Sequence, residues 1–590
     1  MRAGWVTSES RLRVALLAVV VGTLAGFGAV GFRLLIGLFR NLFFFGTLSL
    51  HYDANMHTAA SVWGAGVILV PVLGALLVAF LVKDFALEAR GAGVAEVMDA
   101  VYHERGVIRP AVALIKALAA SLSLGSGASV GREGPIMQIG ATVGSTVGQV
   151  IRMAEWERVT LIAGGAAGGI AATFNTPIGG VLFAVELVMT EISARTLVPV
   201  ALATGTATLV GQTYFGDHPV FRLAQATQPV SLAPVSLFAA YAVLGLILGL
   251  VCVAFIRAVY AAEDLFDRMP GNYYTRHALG MLLVGVVMYL LMHYYGHYYV
   301  HGAGYATVRD LMTGALGASA LLALLFALKL LVTAVTLGSG GSGGVFSPAL
   351  FMGATVGAAY ATALNHLVPG HLDPAVMAAA GMGGVVGAVT GAAVTAMVMV
   401  FEMIRDYHVI TPLLITTSLA YGLRRLLMEE SVYTLKLIRR GHFLPELRTA
   451  SPFLRQPAAK AADTPVRRLS AAQWSAGVPA REPDRAPHLL IVDHGRVRAV
   501  VPAEELAALW AGRASRFNAA HEDFVVVGAG EAVTGVVAAV RRAGAAAALV
   551  TADGRLTQAD EVLGVLSAAE LARRSGLVPA MLGRAGARRP

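Results

Sequence analysis

Residues 125–144 read GSGASVGREGPIMQIGATVG, a glycine-rich turn with a single acid, Glu133, that runs directly into an apolar segment. Residues 338–357 read GSGGSGGVFSPALFMGATVG and align with it without a gap at an offset of 213, with 11 of 20 positions identical. A second pair keeps the same order: residues 161–187 and 377–403 each pass from a small-residue segment into an apolar helix with one glutamate, Glu186 or Glu402. Self-similarity of this kind marks duplicated structure. The chain therefore reads as two halves, approximately residues 13–215 and 230–441.

The setting is a membrane. Of 590 residues, 56% are hydrophobic and only 14% charged, and the mean hydropathy is +0.68, far above that of a soluble globular chain. Apolar runs at 14–38, 61–82, 196–213, 233–258, 277–296, 318–337 and 409–427 span or nearly span a bilayer, and others are shorter and glycine-broken. The expected fold class is an all-α polytopic membrane domain followed by a small α/β domain. The first run follows Arg2 and Arg11 as a secretory signal would. It is about twice as long as a signal h-region and more spans follow, so it is expected to remain as a span. Arg11 and Arg13 before the first span, and Arg424, Arg425, Lys436, Arg439 and Arg440 after the last, place both termini in the cytoplasm, with the protein in the plasma (inner) membrane. The net charge of +9 forms no basic stripe with interleaved aromatics, which excludes a nucleic-acid partner. The single cysteine, Cys252, excludes an intramolecular disulfide and a thiolate metal cage.

After about Arg440, prolines, charges and alanine-rich amphipathic pieces replace the apolar runs. The expected organisation is an N-terminal segment 1–12, a membrane domain 13–441, a linker 442–465 and a cytoplasmic domain 466–590. That last domain holds two strand-turn-strand-helix patterns, 489–509 and 546–573, with turns at Asp493-His494-Gly495 and Ala552-Asp553-Gly554. An amphipathic helix at 532–543 precedes the second.

Glu133 is the residue that carries chemistry. A carboxylate at membrane depth is costly, so it faces a water-filled path or a partner. Glycines before a helix start let backbone N–H groups converge on an anion, and the helix N-terminus adds partial positive charge. An anion-binding backbone and a removable anionic side chain thus share one turn. The alternative is a buried ion pair, with Arg132 as the nearest cation in sequence. Repeats in transporters bring short, glycine-interrupted segments to a shared site between the halves. Non-helical backbone is tolerated there only when it is buried in protein or lines a cavity.

The run Gly131-Arg132-Glu133-Gly134-Pro135, then Gly344-Val345-Phe346-Ser347-Pro348, then Tyr433 within SVYTLKLIRRG resembles the CLC family of chloride channels and proton/chloride exchangers. The likeness covers residues 13–441 in the same order and spacing, and the tail resembles the paired CBS modules that follow many CLC membrane domains. The resemblance implies two inverted halves, a homodimer with one pore per subunit, and chloride permeation across the lipid bilayer rather than an enzymatic reaction. It assigns Glu133 as the external gating glutamate, which occupies an anion position when ionised and leaves when protonated. It places chloride contacts at Gly91, Ala92, Gly93, Arg132 and Gly134, at the backbone amides of Val345 and Phe346, and at the Tyr433 hydroxyl. The physics agrees: carboxylate and chloride compete for the same donors, and protonation removes the competitor. Neutral donors also suit a site that must release its ion. Outside this motif, Tyr433 would read as an interfacial belt residue.

Two departures from the family pattern bear on mechanism. The family's Gly-Ser-Gly-Ile-Pro is here Gly91-Ala92-Gly93-Val94-Ala95, so one hydroxyl donor is missing and coordination falls to backbone amides. Exchangers typically carry two adjacent glutamates where this chain has Glu186 followed by Leu187, and leucine cannot relay a proton. That favours a gated chloride channel, with proton-coupled chloride antiport as the alternative. Glu191, four residues beyond Leu187 and on the same helical face, joins Glu186 as a possible inner proton route.

Other motifs are set aside. Gly338-Ser339-Gly340-Gly341-Ser342-Gly343 satisfies GxGxxG, but no strand precedes it and no acid follows until Asp373. His293, His297 and His301 would line one helical stripe among tyrosines. They read as an interfacial collar, and no metal is assigned. In the tail, Ser567-Ala568-Ala569-Glu570 resembles the adenine-nucleotide contact of CBS modules, whereas Pro502-Ala503-Glu504-Glu505 lacks the hydroxyl. Ser567 and Glu570 are thus candidate nucleotide contacts, against a purely structural dimerising tail. No other cofactor and no catalytic constellation is expected.

Overall fold

The computed structural model describes residues 8–189, 192–223, 234–367, 372–442, 456–477, 487–511, 515 and 519–575. It divides into two compact units, Met1–Lys436 and Leu437–Pro590. In the first unit, one half runs α1 (Ser8–Phe45), α2 (Val70–Asp84), α3 (Val94–His103), α4 (Ala111–Gly125), α5 (Glu133–Val150), α6 (Glu155–Phe174), α7 (Pro177–Phe183) and α8 (Ala194–Phe215). The other runs α9 (Pro234–Arg268), α10 (Tyr273–Tyr295), α11 (Tyr305–Met312), α12 (Ser319–Gly338), α13 (Phe346–Leu367), α14 (Pro374–Thr390), α15 (Ala393–Ile404) and α16 (Ile410–Leu427), and the unit's last residues open α17 (Val432–Arg439).

Among the described residues, Leu12–Phe45, Gly64–Asp84, Val235–Arg268, Tyr273–Tyr295 and Ser319–Gly338 are long and apolar enough to cross a membrane. The runs expected at 196–213 and 409–427 are helices as well, α8 and α16. They fall short of that apolarity because they carry Thr204, Thr208 and Gln212, or Thr416, Thr417 and Arg424.

The duplication reappears in the packing. α5 crosses α6 where Gly140 meets Gly165, and a Cβ on either glycine would enter the other's carbonyl; Gly353 on α13 and Gly381 on α14 repeat the contact. In lipid the hydrophobic effect does not drive helices together, so close backbone approach at small residues supplies the attraction instead.

Two buried lysines sit at the same offset of 213 and perform the same task. Lys116 on α4 donates to the carbonyls of Ala89 (3.0 Å) and Gly91 (2.6 Å). Lys329 on α12 donates to Val300 (2.9 Å) and Gly302 (2.8 Å). An ammonium taken out of water must find such partners. The loops they pin, Gly91-Ala92-Gly93 before α3 and Gly302-Ala303-Gly304 before α11, form a further repeated pair, with six of ten residues identical over 91–100 and 302–311.

The second unit repeats a β-α-β-β-α motif. β1 (Val466–Ser470) pairs parallel with β2 (His488–Asp493), which pairs antiparallel with β3 (Arg496–Val501). β4 (Phe524–Gly528) pairs parallel with β5 (Ala547–Thr551), which pairs antiparallel with β6 (Gly564–Ser567). His494 and Gly495 turn β2 into β3 with positive φ. The bend at Gly554 instead opens a longer connection to β6 that includes the helical turn Ala559–Glu561.

Replacing Lys329 by Met strands two buried carbonyls. It is expected to cost about 1–3 kcal/mol of stability, read as a lower melting temperature in detergent. An unchanged melting temperature would contradict the pinning role.

Candidate functional site

The glycine turns of the two halves are stitched together by backbone bonds at the points where α3, α5 and α13 begin. Gly91 N–H donates to Gly341 O (3.0 Å) and Gly343 N–H to Gly91 O (3.1 Å), while Gly131 and Gly344 exchange both of their bonds at 2.7 Å. The turns lie too close for side chains. A Cβ on Gly134 would strike the Ala92 carbonyl, and Gly93, which caps α3 at φ +87°, backs onto Gln138. Gln138 in turn donates to Glu88 O at 3.0 Å, holding the first loop from α5.

Glu133 is the first residue of α5 and 2% exposed. Its carboxylate reaches the N-terminus of α13, where Oε2 accepts the Ser347 N–H at 3.3 Å. Oε1 accepts the Tyr305 hydroxyl at 2.5 Å and also the Ser347 hydroxyl, and the two hydroxyl oxygens lie 2.7 Å apart. The amide that faces the carboxylate is therefore that of Ser347, one residue beyond the Val345 and Phe346 amides expected from sequence. Both of those residues are buried at the same helix start.

Arg132 does not pair with Glu133. Its guanidinium lies over the rings of Phe174 (4.9 Å) and Tyr305 (5.2 Å), and Nε and Nη1 have no hydrogen-bond partner among the described residues. It lines, with Arg33, Asn175 and Gln212, a cavity of about 250 Å³. Two guanidinium groups outnumber the one carboxylate on that lining, Asp53, and favour an anion there. Tyr433 is buried on the first turn of α17. The Tyr260 hydroxyl fixes the start of that helix through Val432 O (2.6 Å), and the Lys436–Glu96 ion pair (2.6 Å) ties it to α3 beside the first loop. Gly91, Ala92, Gly93, Arg132, Glu133, Gly134, Val345, Phe346 and Tyr433 thus all lie at or beside the meeting point of these loops.

Glu186 has a different setting from the one its sequence position suggested. It lies on a π-turn, Ala184–Val188, that continues α7, and its Oε2 accepts Thr395 N–H (2.7 Å) in the first turn of α15. Its repeat partner Glu402 reciprocates by accepting Ile178 N–H (3.1 Å) and Gly179 N–H (2.7 Å) in the first turn of α7. Each half thus supplies a carboxylate that caps a helix of the other. Glu191 lies outside the described residues.

The histidine stripe is not one helical face. α10 ends at Tyr295 because Gly296 takes the left-handed conformation of a helix terminus. His297 instead stacks on His57 (4.2 Å between ring centroids), and His301 bonds Thr58 (2.9 Å). In the second unit, Ser567 donates to Glu504 and accepts from Glu570 N–H (3.0 Å), and the Glu570 carboxylate faces Arg574 (3.0 Å) and His488 (3.5 Å). Both candidate nucleotide contacts are engaged internally.

Sequence reasoning missed Tyr305, Ser347 as a side-chain partner, and the lysine pair. The signal for Tyr305 was present in the second Gly-Ala-Gly loop that it follows.

The site joins the glycine turns of two duplicated halves beside one buried carboxylate. The model of the voltage gated chloride channel family matches residues 74–425. The H(+)/Cl(-) exchange transporter ClcA of Vibrio parahaemolyticus is 33% identical over 433 residues, 72% of this chain and 89% of that protein. The protein of the same name from Salmonella arizonae is 32% identical over 435 residues, 73% of this chain and 89% of its own. Among solved structures, a slow cyanobacterial Cl-/H+ antiporter matches with a TM-score of 0.62 at 25% identity, over 72% of this chain and 98% of that one. A CLC-type fluoride/proton antiporter matches at 0.60 and 25%, over 73% and 98%. A eukaryotic CLC transporter shares the fold, with a TM-score of 0.61 at 19% identity over 94% of this chain and 98% of that one. The chain belongs to the CLC family, as an integral membrane protein with the CLC fold.

A methyl at position 134 would drive the start of α5 off the Ala92 carbonyl. Gly134→Ala is expected to cost about 1–3 kcal/mol, seen as a lower melting temperature, whereas Gly205→Ala, with nothing near its Cβ, should be neutral or stabilising. Equal melting temperatures would contradict the close approach of the two turns.

Proposed function

We propose that the protein is a proton-coupled chloride antiporter. The observation that carries this is the Glu133 carboxylate seated on the Ser347 amide at the start of α13, the position an anion would take. Carboxylate and chloride exclude one another from that position, because both are negative and use the same donors. A proton that reaches Glu133 neutralises it, the side chain leaves, and chloride enters; loss of the proton returns the carboxylate and expels the ion. Proton and chloride therefore alternate at one place. The central ion is held by amides around Gly91–Gly93 and at Val345 and Phe346, and by the Tyr433 hydroxyl. With Ala92 in place of serine, these neutral donors bind the ion and still let it leave.

Sequence favoured passive conductance because Leu187 follows Glu186. The comparisons support the other reading, since the similar proteins are named exchange transporters and antiporters. The inner proton route is left to Glu186 or Glu191, of which Glu186 also accepts the Thr395 N–H. The protein is placed in the plasma membrane as a homodimer with inverted halves and both termini in the cytoplasm. Its boundaries are 13–441 for the membrane domain and 466–590 for a pair of CBS-like modules. The internal bonds of Ser567 and Glu570 favour a structural tail over a nucleotide sensor.

In liposomes, a chloride gradient is expected to drive protons uphill, and Glu133→Gln, which imitates the protonated gate, should abolish that movement and flatten the pH dependence of chloride flux. Chloride flux with no proton movement in the native protein would restore the channel reading. Glu186→Gln keeps a carbonyl oxygen for the Thr395 amide, so retained coupled transport in this variant would leave the inner relay to Glu191. Loss of proton movement with chloride flux intact would instead make Glu186 the inner relay.

A further inference from the structure

Two side-chain hydroxyls converge on Glu133, and nothing in the transport scheme above uses them. Tyr305 reaches it from the first turn of α11 and Ser347 from the first turn of α13, both from the second half of the chain. Both residues are buried, at 1% and 0% exposure. The Tyr305 ring is fixed by edge contacts with Phe174 and Phe221 and by the Arg132 guanidinium. Its backbone position is fixed by the Gly302-Ala303-Gly304 loop that Lys329 pins.

Proton counting gives the arrangement a direction. Glu133 Oε1, Tyr305 Oη and Ser347 Oγ form a triangle of three mutual contacts. The two hydroxyls hold two protons between them. With Glu133 ionised, both protons point at the carboxylate as charge-assisted bonds, the stronger kind. With Glu133 protonated, its own proton enters the ring and all three bonds become neutral and weaker. Bonds that are stronger to the charged form favour that form.

We propose that Tyr305 and Ser347 are positioning residues that latch the ionised gate in the anion position and so set the acidity at which transport switches on. The inference rests on the gate reading of Glu133. Among the described residues, the titratable groups near Glu133 are Arg132 at its own helix start, Tyr305 from α11, Lys329 from α12 and Tyr433 from α17. Tyr305→Phe keeps the ring for Arg132 and removes only the hydroxyl, and Ser347→Ala keeps the amide that faces Oε2.

The test is chloride flux against pH in liposomes for the native protein, Tyr305→Phe, Ser347→Ala and the double variant, each repeated with Glu133→Gln. Losing one hydroxyl removes a bond to a charged group, which corresponds to an upward shift of the flux midpoint by about one pH unit. The double variant is expected to shift further. With Glu133→Gln in place, neither substitution should alter the profile. A midpoint that stays put or moves to lower pH, with the plateau intact, overturns the latch. Loss of the plateau in both single variants overturns it too, since the hydroxyls would then be needed for folding. A native pH profile in Glu133→Gln alone is a separate result: the gate reading itself fails.

Discussion

The Glu133 carboxylate lies almost wholly out of water and against the first amides of a helix from the opposite half of the chain. A lone carboxylate in apolar surroundings carries a desolvation cost that only dedicated donors offset. Much of the surrounding architecture supplies them or holds them still. The glycine turns bring α5 and α13 into register, and the Gly131–Gly344 bond pair fixes the separation. Because the donors are amides and hydroxyls, the same pocket suits a side chain that leaves and an ion that replaces it.

Around that centre the duplication works as a polar framework inside an apolar fold. Lys116 and Lys329 each tie down the loop before a short helix, and Glu186 and Glu402 each cap a helix start in the other half. These charges face protein rather than lipid and have named partners, as charges at membrane depth require. The framework explains why irregular turns persist there. Their carbonyls and amides are satisfied by lysine, glutamate and one another, leaving the α13 start available to Glu133.

Sequence made part of this legible. The gapless repeat at 125–144 and 338–357 revealed two halves, and the acid in the first turn identified the gate candidate. In the tail, Asp493-His494-Gly495 marked the first strand turn, whereas Ala552-Asp553-Gly554 opens a longer connection that its turn residues did not reveal. Tyr305 was not, because it lies 172 positions from Glu133 and is aimed at it only by the folding of the second Gly-Ala-Gly loop. The partner of Glu186 was not legible, because local sequence records a carboxylate's helix and not the amide it faces across the fold. The histidine spacing implied a continuous helix, and Gly296 ended it, since a left-handed glycine closes a helix more strongly than periodicity extends it.

In this scheme the Glu133 side chain and a transported anion compete for the Ser347 amide. Bromide, located by anomalous diffraction from crystals of the native protein and of Glu133→Gln at the same alkaline pH, tests it most directly. Bromide is expected at the Ser347 amide in the variant, and the carboxylate alone there in the native protein. Bromide absent from that amide in the variant, or bound beside an undisplaced native carboxylate, would contradict it.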